Sequence, residues 1–137
     1  RSIALKDNGF TIYQGSQIPK EVKTIETDKE IVSTFYDDDM VGLVFKNDSK
    51  DKQYTMQVYA TDGKLKFSKD FNIPYTTIRM SDGYIIMYNS SQICVLNQNG
   101  TEKYFGNIDG TVRDFFKLGW NKYLLVMDTG VNVIKLS

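Results

Sequence analysis

No histidine occurs among these 137 residues. That removes Ser-His-Asp and Cys-His nucleophilic machinery, histidine acid–base catalysis and the usual zinc sites from this segment. With a single cysteine no intrachain disulfide forms. Cys94 lies between Ile93 and Val95 at a strand position, so it reads as a buried structural thiol rather than a reactive one. Two prolines and ten glycines mark turns, not disorder. The 17 basic and 17 acidic residues cancel and are dispersed, which argues against nucleic acid, whose binding needs clustered Lys and Arg. No apolar run is long enough to span a bilayer. The chain opens at Arg1 in mid-repeat, without an initiator Met or a signal sequence.

What the chain does contain is a repeat. Tyr59-Ala60-Thr61-Asp62-Gly63-Lys64-Leu65-Lys66-Phe67 aligns with Leu96-Asn97-Gln98-Asn99-Gly100-Thr101-Glu102-Lys103-Tyr104, and the two glycines are 37 residues apart. A second turn recurs as Asp37-Asp38-Asp39, Ser81-Asp82-Gly83 and Gly119-Trp120-Asn121, with Gly83 and Gly119 36 residues apart. Asp-Gly and Asn-Gly suit a two-residue hairpin whose central positions both take positive φ. A unit of this length holding four short strands cannot bury both faces alone and must stack on copies of itself, which is the pattern of a β-propeller blade.

Period-two alternation and β-branched or aromatic content predict the strands. The first copy has Ser2–Lys6, Phe10–Tyr13 and Glu21–Ile25; the second has Ile31–Tyr36, Met40–Phe45, Tyr54–Tyr59 and Leu65–Phe71. The third has Thr76–Met80, Tyr84–Tyr88, Gln92–Leu96 and Glu102–Phe105; the last has Val112–Lys117, Tyr123–Met127 and Asn132–Leu136. One helix-like stretch, Lys20 to Glu30, is assigned to strand and turn because Thr24, Ile25 and Thr27 favour them. The expectation is an all-β, partial β-propeller of four-stranded antiparallel blades: 14 strands in about three and a half blades, with parts at residues 1–28, 31–71, 75–108 and 112–137. A closed propeller needs about four to eight blades, so the chain reads as the C-terminal portion of a larger one. Its open strand edges invite pairing, including a homodimer.

Candidate chemistry is sparse. Asp37-Asp38-Asp39 is the one dense carboxylate cluster, but an EF-hand register starting at Asp37 puts Val41 at the fifth place and Asp48 at the twelfth, and fails at its ligands. It reads as a solvated turn. Lys46 to Gln53 lengthens one connection and reads as a mobile solvated loop; as a contact surface it is the first place to search. Lys64, Lys66 and Lys69 alternate on an outer strand, as a solvated edge does. Trp120 lies in a turn, where exposure and packing on Tyr123 compete, with packing favoured. The sequons at Asn47, Asn89 and Asn99 fall in predicted turns. No catalytic, cofactor-binding or metal-ligating residue is assigned.

The turn Ala60-Thr61-Asp62-Gly63-Lys64-Leu65-Lys66-Phe67 resembles a degenerate docking motif of quinoprotein-type propellers, with Phe67 where those often carry Trp. More broadly, Glu30–Tyr36, Phe67–Phe71, Ile85–Asn89 and Lys122–Asp128 resemble the C-terminal half of an uncharacterised family of propeller proteins from Gram-positive anaerobes. That resemblance covers nearly the whole chain. It implies a parent with an N-terminal membrane anchor and an extracytoplasmic, cell-surface location, and it transfers no activity, cofactor or site. Two functions remain: a non-catalytic binding or scaffolding module for a protein or glycan, or an enzyme of quinoprotein-like or polysaccharide-acting type whose site is completed by residues outside this segment. The lack of His and of convergent carboxylates favours the first.

Overall fold

The computed structural model describes residues 2–6, 9–14, 20–26, 29–48 and 51–136, with side chains described from residue 29 onward. Among them are 14 strands and no helix: β1 (Ser2–Lys6), β2 (Gly9–Gln14), β3 (Lys20–Glu26), β4 (Ile31–Tyr36), β5 (Met40–Lys46), β6 (Tyr54–Ala60), β7 (Leu65–Phe71), β8 (Thr77–Ser81), β9 (Tyr84–Tyr88), β10 (Gln92–Leu96), β11 (Glu102–Asn107), β12 (Val112–Gly119), β13 (Lys122–Met127) and β14 (Gly130–Lys135). Every pairing is antiparallel between sequence neighbours, giving sheets β1-β2-β3, β4-β5-β6-β7, β8-β9-β10-β11 and β12-β13-β14. The expected all-β class and each expected strand are present. The segment from Lys20, which competes as a helix, is strand β3.

Two compact units divide the chain, Arg1–Asn72 and Ile73–Ser137. In the first, β5 is buried at every position from Met40 to Phe45, so an apolar run without alternation marks a strand covered on both faces. Phe35 pairs with Gly42 across β4 and β5. Any Cβ at Gly42 would overlap the Phe35 ring, so glycine is what lets this aromatic lie flat on its neighbour strand. The insertion Lys46 to Gln53 is exposed at most of its described residues and is pinned at its base. Asn47 N donates to Gln53 O (2.8 Å), Gln53 N donates to Asn72 Oδ1 (2.7 Å), and Asn47 Nδ2 donates to Thr55 Oγ1 (2.8 Å), which in turn donates to Asp70 (2.7 Å).

In the second unit, sheet β8–β11 packs face to face on β12–β14. Their shared core is Ile86, Tyr88, Ile93, Val95, Val112, Phe115, Tyr123 and Leu125. Cys94, as expected, is buried. The turn between β9 and β10 grips the crossover between the sheets: Ile108 N donates to Ser91 O (2.7 Å) and Val112 N to Ser90 O (2.8 Å).

Turn chemistry departs from expectation at two places. At Asp62-Gly63 and Asn99-Gly100 only the glycine has positive φ, 90° and 83°. Ala60 N donates to Lys64 O and Gly63 N to Ala60 O, and Asn97 N and Gly100 N repeat this with Thr101 and Asn97. Each is therefore a three-residue loop with glycine in the left-handed position and a bulge beside it, at Val58/Tyr59 and Val95/Leu96. The two-residue hairpin with both central residues at positive φ lies elsewhere, at Asp82 (51°) and Gly83 (81°), closed by the Ser81–Tyr84 pair. The last hairpin also begins earlier than its side-chain pattern predicts, because Met127 pairs with Gly130 and leaves only Asp128-Thr129 to turn.

A candidate binding cleft beside Trp120

At one end of the second unit, the β8–β9 turn, the β12–β13 turn and the segment after β14 converge. They enclose a cleft of about 230 Å³ lined by Tyr84, Lys103, Trp120, Asn121, Tyr123 and Leu136. Each wall has a local cause. The Asp82-Gly83 turn closes β8 onto β9 and sets Tyr84 at the strand start. Gly119 pairs with Lys122, so Trp120 and Asn121 form the tip of the β12–β13 hairpin, and Leu136 N donates to Asn121 O (2.8 Å), fixing the last segment against that tip.

The floor is rigid. Tyr123 is buried and stacks on Phe115, rings 5.2 Å apart and 3° from parallel. Burial, with Tyr84 and Asp82 alongside, pushes the Tyr123 hydroxyl up to about 12, so it stays protonated through the neutral range. Behind Tyr84 the Lys117 ammonium sits 5.7 Å from the ring centroid and 3.3 Å from Asp82 Oδ2. Lys117 is 5% exposed and Asp82 76%, so the pair holds Tyr84 in place more than it adds free charge.

The rim is open. Trp120 is 86% exposed, so the expected packing on Tyr123 does not occur: Tyr123 turns inward to Phe115 while Trp120 projects past the strand ends. Lys103, on β11, and Asn121 are the cationic and amide-bearing residues of the wall. The lining thus offers aromatic and aliphatic walls, hydroxyl and amide groups and one cation. Sequence reading picks out Trp120 and Tyr123. It misses Tyr84, Lys103, Asn121 and Leu136. The recoverable signal was topological: the aligned turns at Ser81-Asp82-Gly83 and Gly119-Trp120-Asn121, with the loop before β11, lie at one end of paired hairpins.

The other marked residues have structural roles. Asp37 Oδ1 accepts from Asp39 N (2.8 Å) and Met40 N (3.0 Å), making the acidic cluster a side-chain-capped turn. Among the described residues no group of three or more His, Cys, Asp or Glu is placed to hold a metal ion. Asn89 is buried; its Nδ2 donates to Pro74 O (2.9 Å) and Gln92 Oε1 (3.0 Å). Asn47 is likewise engaged, its Oδ1 accepting from Lys29 Nζ (2.8 Å), whereas Asn99 is exposed on its turn.

A second polar cluster joins β8 to β12. Asp114 Oδ1 accepts from Arg79 Nη2 (3.1 Å), Tyr88 OH (3.0 Å) and Phe115 N (2.8 Å), and Arg79 also donates to Phe115 O and lies 5.7 Å over the Tyr88 ring. Burial pushes the Asp114 carboxyl up, but the Phe115 N–H, the Tyr88 hydroxyl and the Arg79 charge outweigh it and hold the group below the usual carboxylate range.

Several solved structures share this fold. BamB from Moraxella catarrhalis superposes with a TM-score of 0.60 at 15% identity, covering 98% of this chain and 45% of its own. BBS1N, in complex with ARL6DN, gives 0.59 at 16%, covering 96% and 44%. Saccharomyces cerevisiae Sqt1 gives 0.58 at 12%, covering 96% and 39%. These likenesses establish the propeller fold alone, and the chain spans less than half the length of each. No curated protein matches the sequence. A family model matches residues 1–136, and the chain accordingly belongs to the family of unknown function DUF5711.

Proposed function

We propose that this chain is the C-terminal portion of a larger propeller, with blade parts at residues 1–28, 31–71, 75–108 and 112–137, and that it serves as a non-catalytic binding or scaffolding module for a protein. The observation that carries the reading is Trp120, a large aromatic 86% exposed at the mouth of a cleft. Tryptophan exposed beside a pre-formed recess is the residue type that dominates binding energy when a partner covers it. BBS1N, of similar fold, is itself seen in complex with ARL6DN. We place the parent at the cell surface of a Gram-positive anaerobe, behind an N-terminal membrane anchor; the resemblance of Glu30–Tyr36 and Lys122–Asp128 to such propellers supports this.

A photo-crosslinking amino acid at position 120 of the natural full-length protein, expressed in its own host, tests the binding role. The expected result is one dominant protein adduct that is absent when the probe is moved to Asp48 in the inserted loop. Adducts at neither position, or equally at both, would overturn it.

A further inference from the structure

We infer that the Trp120 cleft takes an acidic segment of a partner protein, an apolar or aromatic side chain entering the recess while a neighbouring carboxylate reaches Lys103. This rests on the binding reading above and adds the chemistry of the ligand. Size comes first. A recess of about 230 Å³ falls below the roughly 300–1,000 Å³ of small-molecule sites, so it holds one side chain and leaves the rest of the partner on the surface. Trp120, Tyr84 and Leu136 provide the apolar walls for that anchor.

Charge comes second. The turns and strand ends here (residues 81–84, 97–103, 117–123 and 134–136) carry Lys103, Lys117, Lys122 and Lys135 against Asp82 and Glu102. Asp82 is already engaged by Lys117. Lys122 and Lys135 pair directly across β13 and β14, one residue from Asn121 and Leu136 and on the opposite face of the same sheet end. That pair therefore faces away from the cleft and takes no part in it. Lys103, exposed on the wall, has no carboxylate within ion-pair distance among the described residues. The cleft lining therefore carries one cation, Lys103, and no carboxylate beside the most exposed aromatic of the described residues.

Other occupants fit less well. A neutral saccharide finds donors and acceptors in the Asn121 amide and the tyrosine hydroxyls, but it brings no anion to compensate Lys103, the one charged residue of the lining. Single-stranded nucleic acid needs a basic groove with successive stacking aromatics, whereas Trp120 is the one fully exposed aromatic of the cleft lining and the chain has zero net charge.

The test is a random heptapeptide display library panned on the full-length protein, followed by fluorescence anisotropy with the most enriched peptide. Enrichment is expected for peptides joining Phe, Leu or Trp to Asp or Glu. Trp120→Ala should weaken the best peptide about thirtyfold, as for a hot-spot aromatic. Lys103→Gln, or amidating the peptide's carboxylates, should weaken it about fivefold, as for an accessible charge pair, with no further loss when the two are combined. Both variants alter exposed side chains, so the fold is retained. No enrichment, enrichment of neutral or basic peptides, or affinity unchanged by Trp120→Ala would overturn the inference, as would tighter Trp120-dependent binding of a neutral oligosaccharide or of oligo-dT. A photo-adduct at position 120 alongside peptides indifferent to their carboxylates would leave the binding role standing and remove only the acidic partner.

Discussion

Gly42 is the residue whose replacement carries the plainest steric consequence. Its pairing with Phe35 leaves no room for a methyl group, and Phe35 is itself buried. Gly42→Ala should destabilise by about 1–3 kcal/mol, the usual cost of overpacking, read as a lower denaturant midpoint at unchanged slope. Asp114 governs an acid response. Because its folded pKa lies below the unfolded value of about 3.9, its contribution is complete above that value and is lost as pH falls through the folded pKa. Asp114→Asn should therefore flatten the stability profile in the most acidic range, by about 1 kcal/mol or less, since both partners are partly exposed. The burial of Cys94 was legible from its apolar neighbours alone. The exposure of Trp120 was not, because a tip residue's direction depends on where the hairpin pairing stops, and that is set by the Gly119–Lys122 pair.

At the scale of elements, strands read well and turns read poorly. Fully apolar runs such as Met40–Phe45 and alternating ones such as Leu65–Phe71 announce buried and edge strands by composition. Asp-Gly and Asn-Gly, however, serve both the two-residue hairpin and the three-residue loop with a bulge, and only the number of residues between the last pairs tells them apart. That number needs the register. The distinction has consequences at Asp82-Gly83, where both residues sit in the left-handed region. Gly83→Ala should cost about 1 kcal/mol in chemical denaturation, because a Cβ is strained at that φ. The same change at Gly119 meets no neighbouring atom and no positive φ, so its effect should be within about 0.5 kcal/mol.

At the scale of the molecule, the repeat supplies its own measure of what each sheet wants. Among the described residues two sheets have four strands and two have three. In the last sheet β14 stands at an edge, with Val131 59% and Val133 58% exposed on alternate positions. The corresponding third strands, β6 and β10, have a fourth strand hydrogen-bonded alongside. An apolar edge with unpaired amides and carbonyls is a template for another strand. In the larger propeller proposed here, residues outside this segment would fill that place; for the 137-residue chain alone, the prediction is that a second copy does. Light scattering across a concentration series should then show mass rising from monomer towards dimer. Val133→Lys, which puts a solvated charge on the edge, should hold the chain monomeric at the same concentrations. A wild-type chain that stays monomeric throughout would show that the β14 edge does not pair between copies, and an unchanged dimer in Val133→Lys would move the contact to another surface.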